Sequence, residues 1–303
     1  MPDTTPVIAQ SGQKAPYALL APTNPQVAAG ESISSQNPKA TPTKPRIHAE
    51  VGRYRLRLAE GAPDREAACR LRFRVFNIEL GEGLERSYAT GIDTDHYDAF
   101  CEHLLVEEKT SGRVVGTYRM QSGMTAAMNL GYYSAQEFEF APYELLRRDI
   151  LELGRASIDR EHRTPEVLTL LWRGIAHYAN EMGLRYLVGC SSLNSNDPAE
   201  GWEMYRELAR YRVSPEFETM PTAAYVCPGG QAAANAQQVA VEGDVVVEKK
   251  VPKLLKTYLT IGARICAPPA WDREFGTIDF LTLLDLKMLS SAARNRFLAP
   301  LAP

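Results

Sequence analysis

No stretch of the 303-residue chain approaches the ~18 uncharged apolar residues in a row that a membrane span needs. An excess of basic residues is missing too. The 34 Lys and Arg stand against 37 Asp and Glu, a net charge of −3, whereas nucleic-acid binders usually carry a net basic domain. The five cysteines (Cys69, Cys101, Cys190, Cys227, Cys266) contain no CxxC pair and no cluster. Neither a disulfide framework nor a structural zinc site is expected from them, and a reducing cytosol fits best. The five histidines (His48, His96, His103, His162, His177) never fall three or four apart, so no metal is expected. There is no GxSxG, no GxxxxGK[ST], no GxGxxG after a strand, and no histidine with an aspartate five positions later. These gaps remove nucleophilic serine hydrolysis, phosphate-loop and dinucleotide chemistry, and O-acylation of glycerolipids.

What is present divides unevenly. Residues 1–48 hold eight of the 20 prolines, with much Ala, Ser, Thr and Gln and few charges. Such a segment cannot bury enough apolar surface to offset the entropy of ordering it, and it lacks the basic start and apolar core of a secretory signal. It is expected to be a disordered tail, with one folded domain over 49–303 and a mobile loop at about 228–243 (PGGQAAANAQQVAVEG). The folded part alternates its periodicity. Arg53–Leu58 has period two and predicts a strand with Tyr54, Leu56 and Leu58 inward. Asp64 is placed to cap a helix running to about Glu79, with Ala68, Leu71, Val75 and Ile78 on its apolar face. Leu104–Lys109 and Val114–Met120 predict a hairpin through Ser111-Gly112, and Ile150–Ile158 a further strand. A helix opens at Thr164-Pro165 and closes at Gly183, the strand Tyr186–Cys190 follows, and Asp197 starts another helix. This order predicts an α/β domain with a mixed sheet.

Charged residues fall at unusual places in that frame. Arg72 and Phe76 lie one turn apart on the first helix. Asp95 and Asp98 sit in the loop GIDTDHYDAF, Arg119 ends an apolar strand, and Glu152 and Arg155 lie in ILELGRASID. At i,i+3 on a strand, Glu152 and Arg155 face opposite sides unless a bulge near Gly154 turns one of them. Three arginines and three carboxylates on separate elements predict one polar cluster. An ion-pair network tying helix to sheet and a reactive site both fit it.

The combination R-x3-F, D-x2-D, Arg on the next strand and E-x2-R resembles the acyl-homoserine-lactone synthase branch of the GNAT superfamily. The strings ELGRASIDREHR and GARICAPPAWDREFGTIDFLTLLDL look more like a sister family, the ornithine-lipid N-acyltransferases, often labelled hemolysin-like. The resemblance covers about residues 53–290. The synthases carry Trp six residues after the Phe; here Glu82 stands there, which speaks against an S-adenosylmethionine acceptor site.

The resemblance implies a GNAT-like, mostly antiparallel central sheet flanked by helices. It further implies transfer of a (3-hydroxy)fatty acyl group from acyl carrier protein to the α-amine of an amino acid, with ornithine giving a lyso-ornithine lipid. The alternatives are a lactone-forming signal enzyme and a non-catalytic acyl-carrier-binding module. A bound cofactor is not expected: the donor is a phosphopantetheine thioester. Coenzyme-A-binding GNAT enzymes carry a glycine-bearing loop at a helix start to hold pyrophosphate, whereas this chain has Arg160-Glu161-His162-Arg163-Thr164-Pro165. Arg160, His162, Arg163 and Arg173 are the expected docking residues for an acidic carrier protein. Aminolysis assigns Glu152 as base, Arg119 and Arg155 to the acceptor carboxylate, and Asp95 or Asp98 to the ammonium of ornithine. Tyr205 is the expected proton donor to the leaving thiolate, competing with a plain core position, and Arg72 and Phe76 complete the substrate-binding set. The expected location is the cytoplasm, with peripheral contact at the inner membrane face left open.

Overall fold

The computed structural model describes residues 44–230 and 251–298. Residues 1–43 of the expected tail and 231–243 of the expected loop lie outside the described residues. The end of the tail is corrected: Ile47 packs in the core and His48 opens strand β1 (His48–Val51). Composition places the boundary late because Pro, Thr and Lys surround the single apolar residue that packs. Strand β2 (Tyr54–Leu58) buries Tyr54, Leu56 and Leu58, as its alternation predicts.

Helix α1 (Ala62–Phe73) starts earlier than Asp64, with Gly61 at its cap position and Pro63 in the first turn. Asp64 instead accepts from Glu60 N at 2.7 Å and Arg57 Nη2 at 2.8 Å. The helix continues as a π-helical turn over Arg74–Glu79. The wider turn shifts the inward face by one residue, so Asn77 is buried and the expected Ile78 is 62% exposed.

Strands β3 (Glu102–Glu108) and β4 (Arg113–Ser122) form the expected hairpin. The short helix α2 (Gly123–Met128) follows, and β5 (Ile150–Ile158) pairs antiparallel with β4. Thr164 caps α3 (Pro165–Glu181) by accepting from Val167 N, and α3 crosses to β6 (Tyr186–Leu193), parallel to β5. Asp197 caps α4 (Pro198–Glu207). After α5 (Lys253–Ile261), strands β7 (Arg264–Ile265), β8 (Ala270–Asp272) and β9 (Thr277–Asp285) complete the sheet, and α6 (Ser291–Phe297) follows. Among the described residues the strand order is β1-β2-β3-β4-β5-β6-β9-β7, with β8 on β9 and every pair but β5–β6 antiparallel.

Each face of the sheet has its own core. On one, α3 and α6 cover Leu56, Leu104, Tyr118, Met120, Leu151, Leu187 and Leu284. On the other, α1 covers Leu105 and Val114. Beside it, Tyr132, Phe138, Phe140 and Tyr143 cover Ile150, Val188, Leu281 and Leu283.

The β5–β6 ladder holds only three pairs, Ile150↔Tyr186 to Glu152↔Val188, although both strands run on. Beyond that rung they part, and the cause is on β5. Thr117 pairs with Ser157 but Arg119 pairs with Gly154, so Arg155 and Ala156 oppose Tyr118 alone. This is the bulge near Gly154, and it bends the strand away from β6. Arg155 takes the left-handed conformation there, φ 52°. At the fork Leu153 O stands 2.2 Å from where a Cβ on Gly189 would be, so the close approach of the two strands requires glycine.

Candidate active site

The polar cluster forms beside the bulge. Arg72, buried on α1, gives Nε to Asp93 Oδ1 at 2.7 Å and Nη1 and Nη2 to the two oxygens of Asp98 at 2.7 and 2.8 Å. Arg119 donates to Asp95 Oδ1 at 2.6 Å and Asp98 Oδ1 at 3.1 Å. Arg155, re-aimed by the bulge, donates to Asp95 Oδ2 at 3.0 Å and to the Tyr133 hydroxyl at 3.1 Å. The Tyr133 ring lies under both guanidiniums, at 4.9 and 4.8 Å. Burial works to raise the Asp98 carboxyl, but Arg72 and Arg119 overcome it and hold the group far below the usual carboxylate range. Asp95 is lowered in the same way, burial opposing and the Arg119 and Arg155 charges prevailing. Burial pushes His103, beside Asp98, down to about 4, so the ring is neutral.

The expected cluster of three arginines and three carboxylates is therefore present with one exchange: Asp93 takes the place given to Glu152. Three cations meet three anions and the set is neutral. Asp95 and Asp98 are engaged by arginines, not turned to a ligand's ammonium. Arg119 and Arg155 each spend donors on Asp95.

Glu152 is held separately. It accepts from Gln121 Nε2 at 2.6 Å, Tyr133 N at 2.9 Å and Ser134 N at 2.7 Å. Two of these reach Oε2 and one reaches Oε1, so one acceptor position remains on Oε1.

A cavity of about 510 Å³ passes through the fork. Its apolar branch lies on the α3 side, among Trp172, Leu187, Leu255, Tyr258, Ala263 and Leu284, where the hydroxyls of Tyr118 and Tyr258 bond to each other. The branch on the α1 side is acidic. Glu82, Glu137, Asp272 and Asp279 line it, together with Cys190 and the edge of Phe76, whose ring meets Phe275 at 6.1 Å. Glu137 and Asp279 are buried, and with the Cys190 sulfur their ligating atoms lie within 4.8 Å of one another. That trio is a donor set a divalent cation could use. Burial first and then the Asp279 charge push Glu137 well above the ordinary carboxylate range, and Asp279 is raised by burial. Burial, reinforced by Asp279, pushes Glu82 up to about 7.

Several expected residues lie away from the cavity or differ from their assigned role. Tyr205 is outside the cavity lining and packs edge-on to Trp202, with Arg212 4.3 Å above its ring. Tyr118, Tyr133 and Tyr258 are the lining tyrosines among the described residues. The four docking residues do not make one patch. His162 is buried, its Nδ1 3.1 Å from the Tyr54 hydroxyl, and exposed Arg163 binds Glu79 at 2.5 and 2.7 Å. Arg160 is exposed, and half-buried Arg173 lies eight residues into the helix from Pro165, about 12 Å along it. Sequence reasoning missed Asp93, Glu137, Asp272 and Asp279. Asp279 had a signal, an acid inside the otherwise apolar run TIDFLTLLD.

Residues 71–173 match the family model described as an acetyltransferase (GNAT) domain. With the forked sheet and its through-cavity, this makes the protein an acyltransferase of the GNAT class. The chain is 31% identical over 269 residues to the L-ornithine N(alpha)-acyltransferase of Brucella abortus (strain 2308), covering 83% of this chain and 93% of that protein. It is 30% identical over 268 residues to the protein of the same name from Rhizobium meliloti (strain 1021), covering 83% and 86%. The chain belongs to the L-ornithine N(alpha)-acyltransferase family. Among solved structures it is similar to FeeM, an N-acyl amino acid synthase from uncultured soil microbes, at a TM-score of 0.45 and 11% identity, covering 79% of this chain and 95% of that one.

Proposed function

We propose that the protein transfers a fatty acyl group from an acyl carrier protein thioester to the α-amine of L-ornithine. The observation that carries this is one cavity with two unlike ends meeting at the fork: an apolar branch suited to the acyl chain and an acidic branch suited to a cationic acceptor. The carrier-protein donor is supported by the start of α3. There Thr164 caps the helix and buried His162 occupies the preceding turn, with no glycine-lined cradle for a pyrophosphate.

The reaction joins the amine nitrogen to the thioester carbon and breaks the carbon–sulfur bond. An α-amine with a pKa of about 8 is mostly protonated at neutral pH. Glu152 stands at the last rung before the fork, and its open position on Oε1 accepts the proton. Backbone N–H groups of the bulged strand beyond that rung steady the oxyanion. The Tyr118–Tyr258 hydroxyl pair takes over the role expected of Tyr205 and returns a proton to the departing thiolate. The neutral arginine–aspartate cluster fixes the bulge in place and leaves the acceptor's charge to the acidic branch.

Supplying ornithine with a 3-hydroxyacyl carrier protein or the matching acyl-CoA, and reading products by mass spectrometry, tests this. Acyl-ornithine forming far faster from the carrier protein is expected. Equal kcat/KM for the two donors contradicts the donor assignment, and lactone formation from S-adenosylmethionine contradicts the acceptor.

A further inference from the structure

The acidic branch gathers more carboxyl groups than its surroundings pair. None of the ion pairs among the described residues involves Glu82, Glu137, Asp272 or Asp279. Glu137 and Asp279 are 2% and 4% exposed, yet Glu137 Oε2 and Asp279 Oδ1 have no hydrogen-bond partner. Thr277 Oγ1, also buried and lining the cavity, lacks one as well. Leaving buried acceptors unpaired costs roughly 1–3 kcal/mol each, more for charged groups. An ammonium group carries three donors and a positive charge, which answers both deficits at once.

The position matches a short side chain. Val188 is the last residue of β6 in the ladder with β5, and Cys190, whose sulfur lies within 4.8 Å of both carboxyls, stands two residues farther along. Two residues of strand span about 6.6 Å. Asp279 lies opposite Ser192 on the neighbouring strand, so the pair closes the end of the branch.

We propose that Glu137 and Asp279 bind the side-chain ammonium of the acceptor and so restrict it to an amino acid with a terminal primary amine a few carbons from the α-amine. This rests on the acyl-transfer reading of the same cavity. Asp272 is committed elsewhere, its Oδ1 accepting from Glu274 N and Phe275 N, and Glu82 adds charge at the half-buried rim.

The test compares L-ornithine with L-norvaline, which has the same carbon chain without the terminal amine, using a 3-hydroxyacyl carrier protein as donor. Asp279→Asn and Glu137→Gln should each lower kcat/KM for ornithine roughly 10–100-fold, mainly through KM, the worth of a charge-assisted hydrogen bond. Norvaline should lose far less, so the preference for ornithine collapses. Thermal stabilisation by ornithine should exceed that by norvaline and disappear in both variants. The variants themselves should melt no lower than wild type, because the neutral isosteres remove repulsion between the carboxyls. An equal loss with both acceptors, or no loss with ornithine, overturns the proposal. So does one equivalent of zinc in the purified protein that both variants lose, which assigns the trio with Cys190 to a metal. If the wild type transfers no acyl group, the functional reading fails by itself. Ornithine-specific stabilisation abolished by Asp279→Asn still upholds the site, and equal stabilisation by the two amino acids overturns it.

Discussion

Arg72 makes four hydrogen bonds from a fully buried position, to Asp93 and Asp98. Arg72→Met therefore strips Asp93 of its hydrogen bonds from Arg72, leaving its side chain only Arg155 Nε at 3.7 Å, and weakens the hold on Asp98. Breaking a buried pair typically costs about 3–5 kcal/mol, and denaturant unfolding should read a loss of that size. A change under 1 kcal/mol contradicts a structural role. Glu152→Gln is the sharper case, because the residue both positions Tyr133 and Ser134 and is assigned the amine's proton. The rate should fall about 10²–10⁴-fold, and the deficit should shrink as pH rises and the amine loses its proton unaided. A loss equal at every pH leaves Glu152 with positioning alone. The arginines of the cluster were readable from sequence because each interrupts a helix face or an apolar strand. Two of their partners, Asp95 and Asp98, were named from the loop, and the third was not. Asp93 stands two residues from Asp95, and only the fold shows which loop acid meets Arg72. Glu137 and Asp279 come together from segments about 140 residues apart.

At the scale of elements, the strands and the hairpin were legible because period two and turn residues are local signals. The fork was not foreseen, and its cause was visible only as a conditional, a bulge near Gly154 that would turn Glu152 or Arg155. The register shift at Tyr118 meets that condition. The π-turn after α1 left no local signal and misdirected Ile78, since it changes the period without changing composition. Gly189 tests the fork itself. Its Cβ would stand 2.2 Å from a backbone carbonyl, which cannot swing aside as a side chain can. Gly189→Ala should force β5 and β6 apart, reduce acyl transfer more than tenfold and lower stability by the ~1–3 kcal/mol typical of overpacking. Full activity with unchanged melting temperature contradicts the close approach.

Across the whole molecule, two sets of carboxyls pull the pH dependence of stability in opposite directions. Asp95 and Asp98 are lowered on folding, so their contribution is present above the unfolded value of about 3.9 and is lost as pH falls. Glu82, Glu137 and Asp279 are raised, so theirs is complete below about 4 and is lost as pH rises, for Glu82 through about 7. The melting temperature should therefore be higher at pH 5 than at pH 8. Ornithine should recover part of it at pH 8, because its ammonium favours the ionised form of the carboxyls. A melting temperature that climbs from pH 5 to pH 8 without ligand contradicts the burial of the acidic branch.

The site of acylation on ornithine tests the account most directly, because the acceptor has two amines and the cavity orients them. With the side-chain ammonium held between Glu137 and Asp279, only the α-amine reaches the thioester at the fork. Tandem mass spectrometry of the product of wild-type protein, 3-hydroxyacyl carrier protein and L-ornithine should find the acyl group on the α-nitrogen alone. Acylation on the side-chain nitrogen, or a mixture of the two, contradicts the orientation and with it the division of the cavity into an acyl branch and an acceptor branch.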